Sequence, residues 1–175
     1  MKKKLSASLV IYITVFELVF CLFASTRTPL FSGTAQAQEY SSDDMFSQDQ
    51  LDNLLAPIAL YPDPLLAQIL IAATFVDQVD EAARWIRGNR NPGAIDYQPW
   101  DVSVKAVAHY PPIIQMMSDQ LDWTTSVGQA YVYESSDVMT SIQRLRAQAY
   151  SLGNLISNGQ QEVIVEGDDI RIIPV

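Results

Sequence analysis

The apolar and polar positions divide the chain into three regimes. Apolar residues run almost unbroken from Leu5 to Phe23, recur at helical spacing from Leu51 to Leu152, and alternate from Val163 onward. The middle regime is organised around Leu51–Arg87. Leu51, Leu54, Leu55 and Ile58 form one stripe, and Ser47 is the expected cap of that helix. Pro57 ends or bends it, and Tyr61-Pro62 closes the connection. Asp63 is expected to cap a second helix with Pro64 at its first position, followed by the stripe Leu65, Leu66, Ile69, Leu70 and Ala73. A third begins at Asp77 and carries Val79, Ala82, Ala83 and Ile86 with Trp85 beside them. It stops at Gly88-Asn89, behind Arg84 and Arg87. None of the three is long enough to be stable alone in water, so they must pack together.

A loop dense in Pro and Gly follows from Arg90 to Trp100, and Asp101 is the expected cap of a short helix with Val104, Val107 and Ala108 on one side. Tyr110-Pro111-Pro112 breaks it. Ile113, Ile114, Met117 and Leu121 mark the next helix, and Asp122 is expected to cap another with Trp123, Val127, Ala130 and Tyr131. The last and longest starts at Ser135 or Ser136. Its stripe is Val138, Ile142, Leu145, Ala149 and Leu152, with Gly153 at the C-cap. The period then drops to two, and Gly167-Asp168 is a two-residue hairpin turn that pairs Val165 with Ile170 and Val163 with Ile172. The predicted fold is mainly α, an array of about six short helices with a C-terminal β-hairpin at 161–174.

The N-terminus changes the picture of where this domain works. Lys2, Lys3 and Lys4 before the apolar run, with Ala35-Gln36-Ala37 as a small-x-small site, predict a secretory signal over residues 1–37. Glu17 inside the run and the long polar stretch 25–37 keep an uncleaved membrane anchor over 5–23 as the alternative. Cys21 follows Phe20, which is too bulky for a lipoprotein signal. Residues 38–47 (QEYSSDDMFS) read as a flexible acidic leader, and 48–175 as a single domain. The expected location is the periplasm or cell envelope of a bacterium. Removing 1–37 leaves seven basic and nineteen acidic residues, a net charge of −12, which disfavours nucleic acid and anionic lipid. It also removes the only cysteine, and with it any disulfide or thiolate chemistry.

Candidate chemistry is sparse. His109 is the only histidine, at a helix end where a capping or surface role is ordinary, and nothing in sequence supplies a positioned partner. Asp77, Asp80 and Glu81 share a helical face, but acids in a first turn complement the helix dipole without a metal. Glu166, Asp168 and Asp169 lack calcium-loop spacing and read as turn and edge charges. No catalytic residue, metal or cofactor is assigned. Tyr61, Trp100 and Trp123, with Trp85 and Tyr110, either line a sugar-stacking groove near Asp101 or Asp122 or pack in the core. The hairpin has apolar residues on both faces. Val163, Ile164, Val165, Ile170, Ile172 and Ile173 therefore either offer a strand for β-addition to another envelope protein or a second copy, or pack on the domain's own helices.

The motifs LLAPIALYPDPLLAQIL, DEAARWIR, QPWDVSVKAVAHYP, LDWTTSVGQAY, VMTSIQRLRAQA and VIVEGDDIRIIPV occur in this order. Together, over Leu51 to Val175, they resemble the bacterial envelope family catalogued as domain of unknown function 3300. The resemblance implies an exported, mainly helical domain with no established activity or catalytic residue. The expected function is that of a non-enzymatic structural or protein-interaction module. The alternative is a cell-wall glycan-binding or glycan-cleaving domain.

Overall fold

The computed structural model describes residues 45–88 and 91–175, so the expected signal and most of the leader lie outside the described residues. Seven α-helices are described: α1 Gln48–Leu55, α2 Asp63–Ala72, α3 Val76–Gly88, α4 Val102–Ala108, α5 Pro111–Asp119, α6 Leu121–Tyr133 and α7 Ser135–Ser151. A 3₁₀ turn spans Pro92–Ala94, and the strands β1 Gln161–Glu166 and β2 Asp169–Pro174 close the chain. The fold is the helical array with a C-terminal hairpin that the pattern predicts, with one helix more than the approximate six. Gln120, at φ −128° and ψ 60°, keeps α5 and α6 apart.

The caps show which local rules won. Ser47 and Gln50 form a capping box, each side chain accepting the other's backbone N–H. Asp101 Oδ1 accepts the Ser103 N–H at 2.8 Å as the expected cap of α4. Asp63 does not cap α2. The cap position belongs to Pro62, and the Asp63 carboxylate instead faces Arg146 across the structure. Nor is Asp122 a cap, since α6 already starts at Leu121 and Asp122 sits inside its first turn. Phe46, placed in the leader by composition, packs against the core and donates its N–H to Glu134 Oε1 at 3.0 Å.

Three helix pairs build the body: α2 on α4, α3 on α5, and α1 on α7. Helix α6 is central and touches α1, α2, α3, α5 and α7. Leu55, Ile58, Ile69, Val104, Met117 and Ile142 are among the fully buried side chains of the main core. Helix α7 buries the predicted stripe as far as Ala149, and with it two polar residues that the stripe does not include. Val138 and Ile142 are inside, but Leu152 is 67% exposed, while Ser141 and Arg146 are buried. The two polar residues flank that stripe and widen the buried face, because each has a specific partner there.

Ser141 finds Asp52 of α1. Its hydroxyl donates to Asp52 Oδ1 at 2.5 Å, and Arg144 Nε donates to Oδ2 at 2.9 Å. The Arg144 hydrogen bond above all, helped by Ser141, holds the Asp52 carboxyl below the usual carboxylate range, against the upward push of desolvation. A depressed folded pKa contributes stability that is present above the unfolded value and lost as pH falls through the folded one. The urea midpoint of Asp52→Asn therefore falls short of the parent's at pH 7. That gap closes progressively as the pH drops below about 4, where the unfolded carboxyl begins to protonate. A gap that stayed constant down to pH 2 would show that the carboxylate charge is not what joins α1 to α7.

The register of the hairpin is as predicted, with Val163 opposite Ile172 and Val165 opposite Ile170. Ile170 and Ile172 form a second small core with Leu155, against which Ala149 and Val163 pack. The contacts of β2 with α2 and α7 place the hairpin on the helices.

Candidate functional site

Arg146 organises the region where the hairpin meets the helices. It is 2% exposed. Nε donates to Ala59 O at 2.8 Å, Nη1 to Ile170 O at 2.8 Å, and Nη2 to Tyr61 O at 3.1 Å. Nη1 also lies 2.6 Å from Asp63 Oδ1, as an ion pair without a directed hydrogen bond. One planar fork thus joins α7 to the connection between α1 and α2, to the start of α2, and to β2. The hydrophobic pattern hides this residue as the polar flank of a stripe. Its spacing of four from Ile142 and eight from Val138 is the signal that places it on the buried face.

Two clefts flank the hairpin tip. One, about 370 Å³, runs between α7 and the face of the hairpin carrying Val165, with Ala147, Tyr150, Val165 and Ile170 in its lining. The other, about 390 Å³, lies on the hairpin's other face. It is bounded by Leu66 and Leu70 of α2, Met139 and Arg146 of α7, and Asp169 of β2.

The alternation of an antiparallel pair fixes which backbone groups face outward. The two-residue turn makes Glu166 and Asp169 the closing hydrogen-bonded pair, so Val165, Ile170 and Val163 turn their N–H and C=O away from the partner strand. The Ile170 N–H donates to Gln143 Oε1 at 2.9 Å, and its carbonyl accepts from Arg146. The Val163 N–H donates to Ser157 Oγ at 2.9 Å, and the Gln161 carbonyl accepts the Asn158 N–H at 2.8 Å. Val165 has no such partner among the described residues.

The predicted interaction residues therefore separate. Ile170 and Ile172 are 3% and 0% exposed, so they are not available to a partner: Leu155 and the helices already cover them. Val163 and Ile164 are half-buried, whereas Val165 is 43% exposed and Ile173 is at the rim of exposure. The aromatic residues fare worse as a stacking surface. Trp100 is buried, edge-on to Trp85 at 5.7 Å between ring centroids, so no sugar can reach it. Trp123 is half-buried with its indole N–H donated to Leu54 O at 2.9 Å, and Tyr61 packs on the same core.

The arginines are occupied by the fold. Each of the five arginines among the described residues sits in an ion pair: Arg84 with Asp80, Arg87 with Asp119, Arg144 with Asp52, Arg146 with Asp63 and Arg171 with Glu166. His109 Nε2 lies 2.9 Å from Asp96 Oδ1 on the surface. Of the acids on the α3 face, Asp80 also accepts from Ser118 at 2.9 Å. Among the described residues no three His, Cys, Asp or Glu side chains come together as a metal site. No described helix is long and apolar enough to cross a membrane.

Comparison with known proteins adds a relative of similarly open function. The chain is 39% identical over 125 residues to the uncharacterized protein YacH of Escherichia coli strain K12. The match takes in 68% of this chain but only 20% of that protein, so the chain spans about a fifth of the relative's length. No solved structure matches it. The order and spacing of the motifs, carried on this helical array and hairpin, are those of a single family. Its model covers residues 47–175, and the chain belongs to it: Protein of unknown function (DUF3300).

Proposed function

We propose that this domain is an exported, non-enzymatic interaction module of the bacterial envelope. In this reading it engages an extended segment of another envelope protein along β1. The observation that carries it is the groove between Tyr150 and Val165, beside a strand position whose outward N–H and C=O are unsatisfied. An added strand needs such a backbone pair for register and an adjacent apolar pocket for one side chain. The chemistry of the titratable groups supports the same reading. The carboxylates held below their usual range, Asp52 and Asp101, are held there by Arg144 and by the Ser103 cap, which are elements of the fold. Export rests on the basic N-terminus, the apolar run 5–23 and the Ala35-Gln36-Ala37 site. Intact mass of the protein recovered from envelope fractions tests it, since cleavage after Ala37 removes the first 37 residues.

Deleting the hairpin is not a clean test, because Ile170, Ile172 and the carbonyl bonded to Arg146 would leave with it. Val165→Arg keeps the fold and fills the groove with charge. In-cell crosslinking followed by mass spectrometry is expected to recover specific partners with the parent chain and to lose them with Val165→Arg, with unchanged thermal unfolding. An identical partner set for both chains would overturn the assignment to this groove.

A further inference from the structure

The second cleft, on the opposite face of the hairpin, has a different chemistry. Its floor is aliphatic: Leu66 and Leu70 are buried beneath it, and Met139 is 46% exposed at its side. Both cations that line it are committed, Arg146 to Asp63 and three carbonyls, Arg171 to Glu166. Asp169 at its rim has no ion pair among the described residues. An aliphatic floor in a cleft whose lining includes an unpaired carboxylate is complementary to a side chain with a methylene stem and a cationic head. The chain carries 20 acidic residues against 11 basic ones, so its field draws cations towards that rim. An anionic ligand meets the unpaired Asp169, the charges of Asp63 and Arg146 being matched to each other. A purely apolar one would strip water from Asp169 and return nothing for it.

We propose that this cleft receives an arginine or lysine side chain presented by a basic segment of a partner protein. The stem lies on Leu66, Leu70 and Met139, and the head meets the Asp169 carboxylate. This site uses the face of the hairpin away from Val165 and stands independently of the groove described above.

The test is a titration of the full chain with the acetylated, amidated peptide Gly-Arg-Gly, followed by amide and methyl NMR. The same peptide with citrulline, which has arginine's shape without its charge, serves as the control. Saturable shifts at Leu66, Leu70 and Met139 are expected with arginine and not with citrulline. Asp169→Asn weakens binding by about three- to fivefold, the worth of one partly exposed ion pair. Glu81→Gln, which removes the same charge from the exposed surface of α3, leaves the affinity unchanged. An unchanged amide spectrum in each variant secures the comparison. The proposal is overturned if shifts are absent at the cleft, if both variants lose affinity alike, or if citrulline binds equally. Saturation at the cleft by spermidine more tightly than by the peptide would place a free polyamine there and would also overturn it.

Discussion

Arg146→Leu lowers the stability of the domain by about 3–5 kcal/mol, because it removes the buried member of a half-exposed ion pair and with it the donor to three carbonyls. Replacing a whole buried pair by apolar groups can be neutral, so the magnitude depends on what is left behind. Here the remainder is large. Leucine orphans the carbonyls of Ala59, Tyr61 and Ile170 and leaves the Asp63 carboxylate facing an apolar side chain. Each unsatisfied buried acceptor costs about 1–3 kcal/mol, which outweighs the leucine's gain from burial. Arg146→Lys keeps the charge, but a single ammonium cannot span carbonyls on three segments, so it recovers only part of the loss. Urea unfolding followed by tryptophan fluorescence reads both, and a loss under about 1 kcal/mol for leucine would mean that the hairpin docks without the fork.

Gly128→Ala is expected to destabilise by about 2–3 kcal/mol, although alanine at an unhindered helical position would stabilise by up to about 1 kcal/mol relative to glycine. The sign reverses because a Cβ at this position would stand 2.3 Å from Ala73 O and 2.7 Å from Ala73 C, at the end of α2. Those are backbone atoms, and no rotamer change relieves them. Helix α6 would have to back away from α2, opening the contacts of the central helix with its neighbours. Gly88→Ala, with nothing within 4 Å of the added Cβ, is the matched control and should leave the midpoint near or above the parent's. Equal behaviour of the two variants would mean that α6 and α2 are not in close contact.

The architecture was legible where one physical rule dominates a segment. The strand alternation and the turn at Gly167-Asp168 specify the hairpin register to the residue, because a one-residue slip would invert its faces. The capping box at Ser47 and the cap at Asp101 were readable for a similar reason: each is satisfied by neighbours in sequence. Asp63 was not, since a carboxylate that can cap locally was drawn off by a guanidinium 83 residues away in sequence. Arg146 and Ser141 escaped for the complementary reason: their spacing puts them beside the buried stripe, but a polar residue there reads as a solvated flank until its partner is placed. The same limit hid the site. Val165 and Ile170 are equivalent β-branched positions in the sequence. Only the placement of α7 under β2 buries Ile170 and leaves Val165 open.

The loop ahead of β1 has a consequence for how the domain behaves when crowded. Ser157 and Asn158 occupy the outward positions of Val163 and Gln161, and Gln143 and Arg146 occupy that of Ile170. Growth of an open-ended sheet needs successive free rungs along an edge. The β1 edge offers a single rung at Val165, enough for a short, reversible pairing and too little to template a filament. A protein with an apolar hairpin on its surface can thus remain dispersed at high concentration with one rung of its β1 edge open.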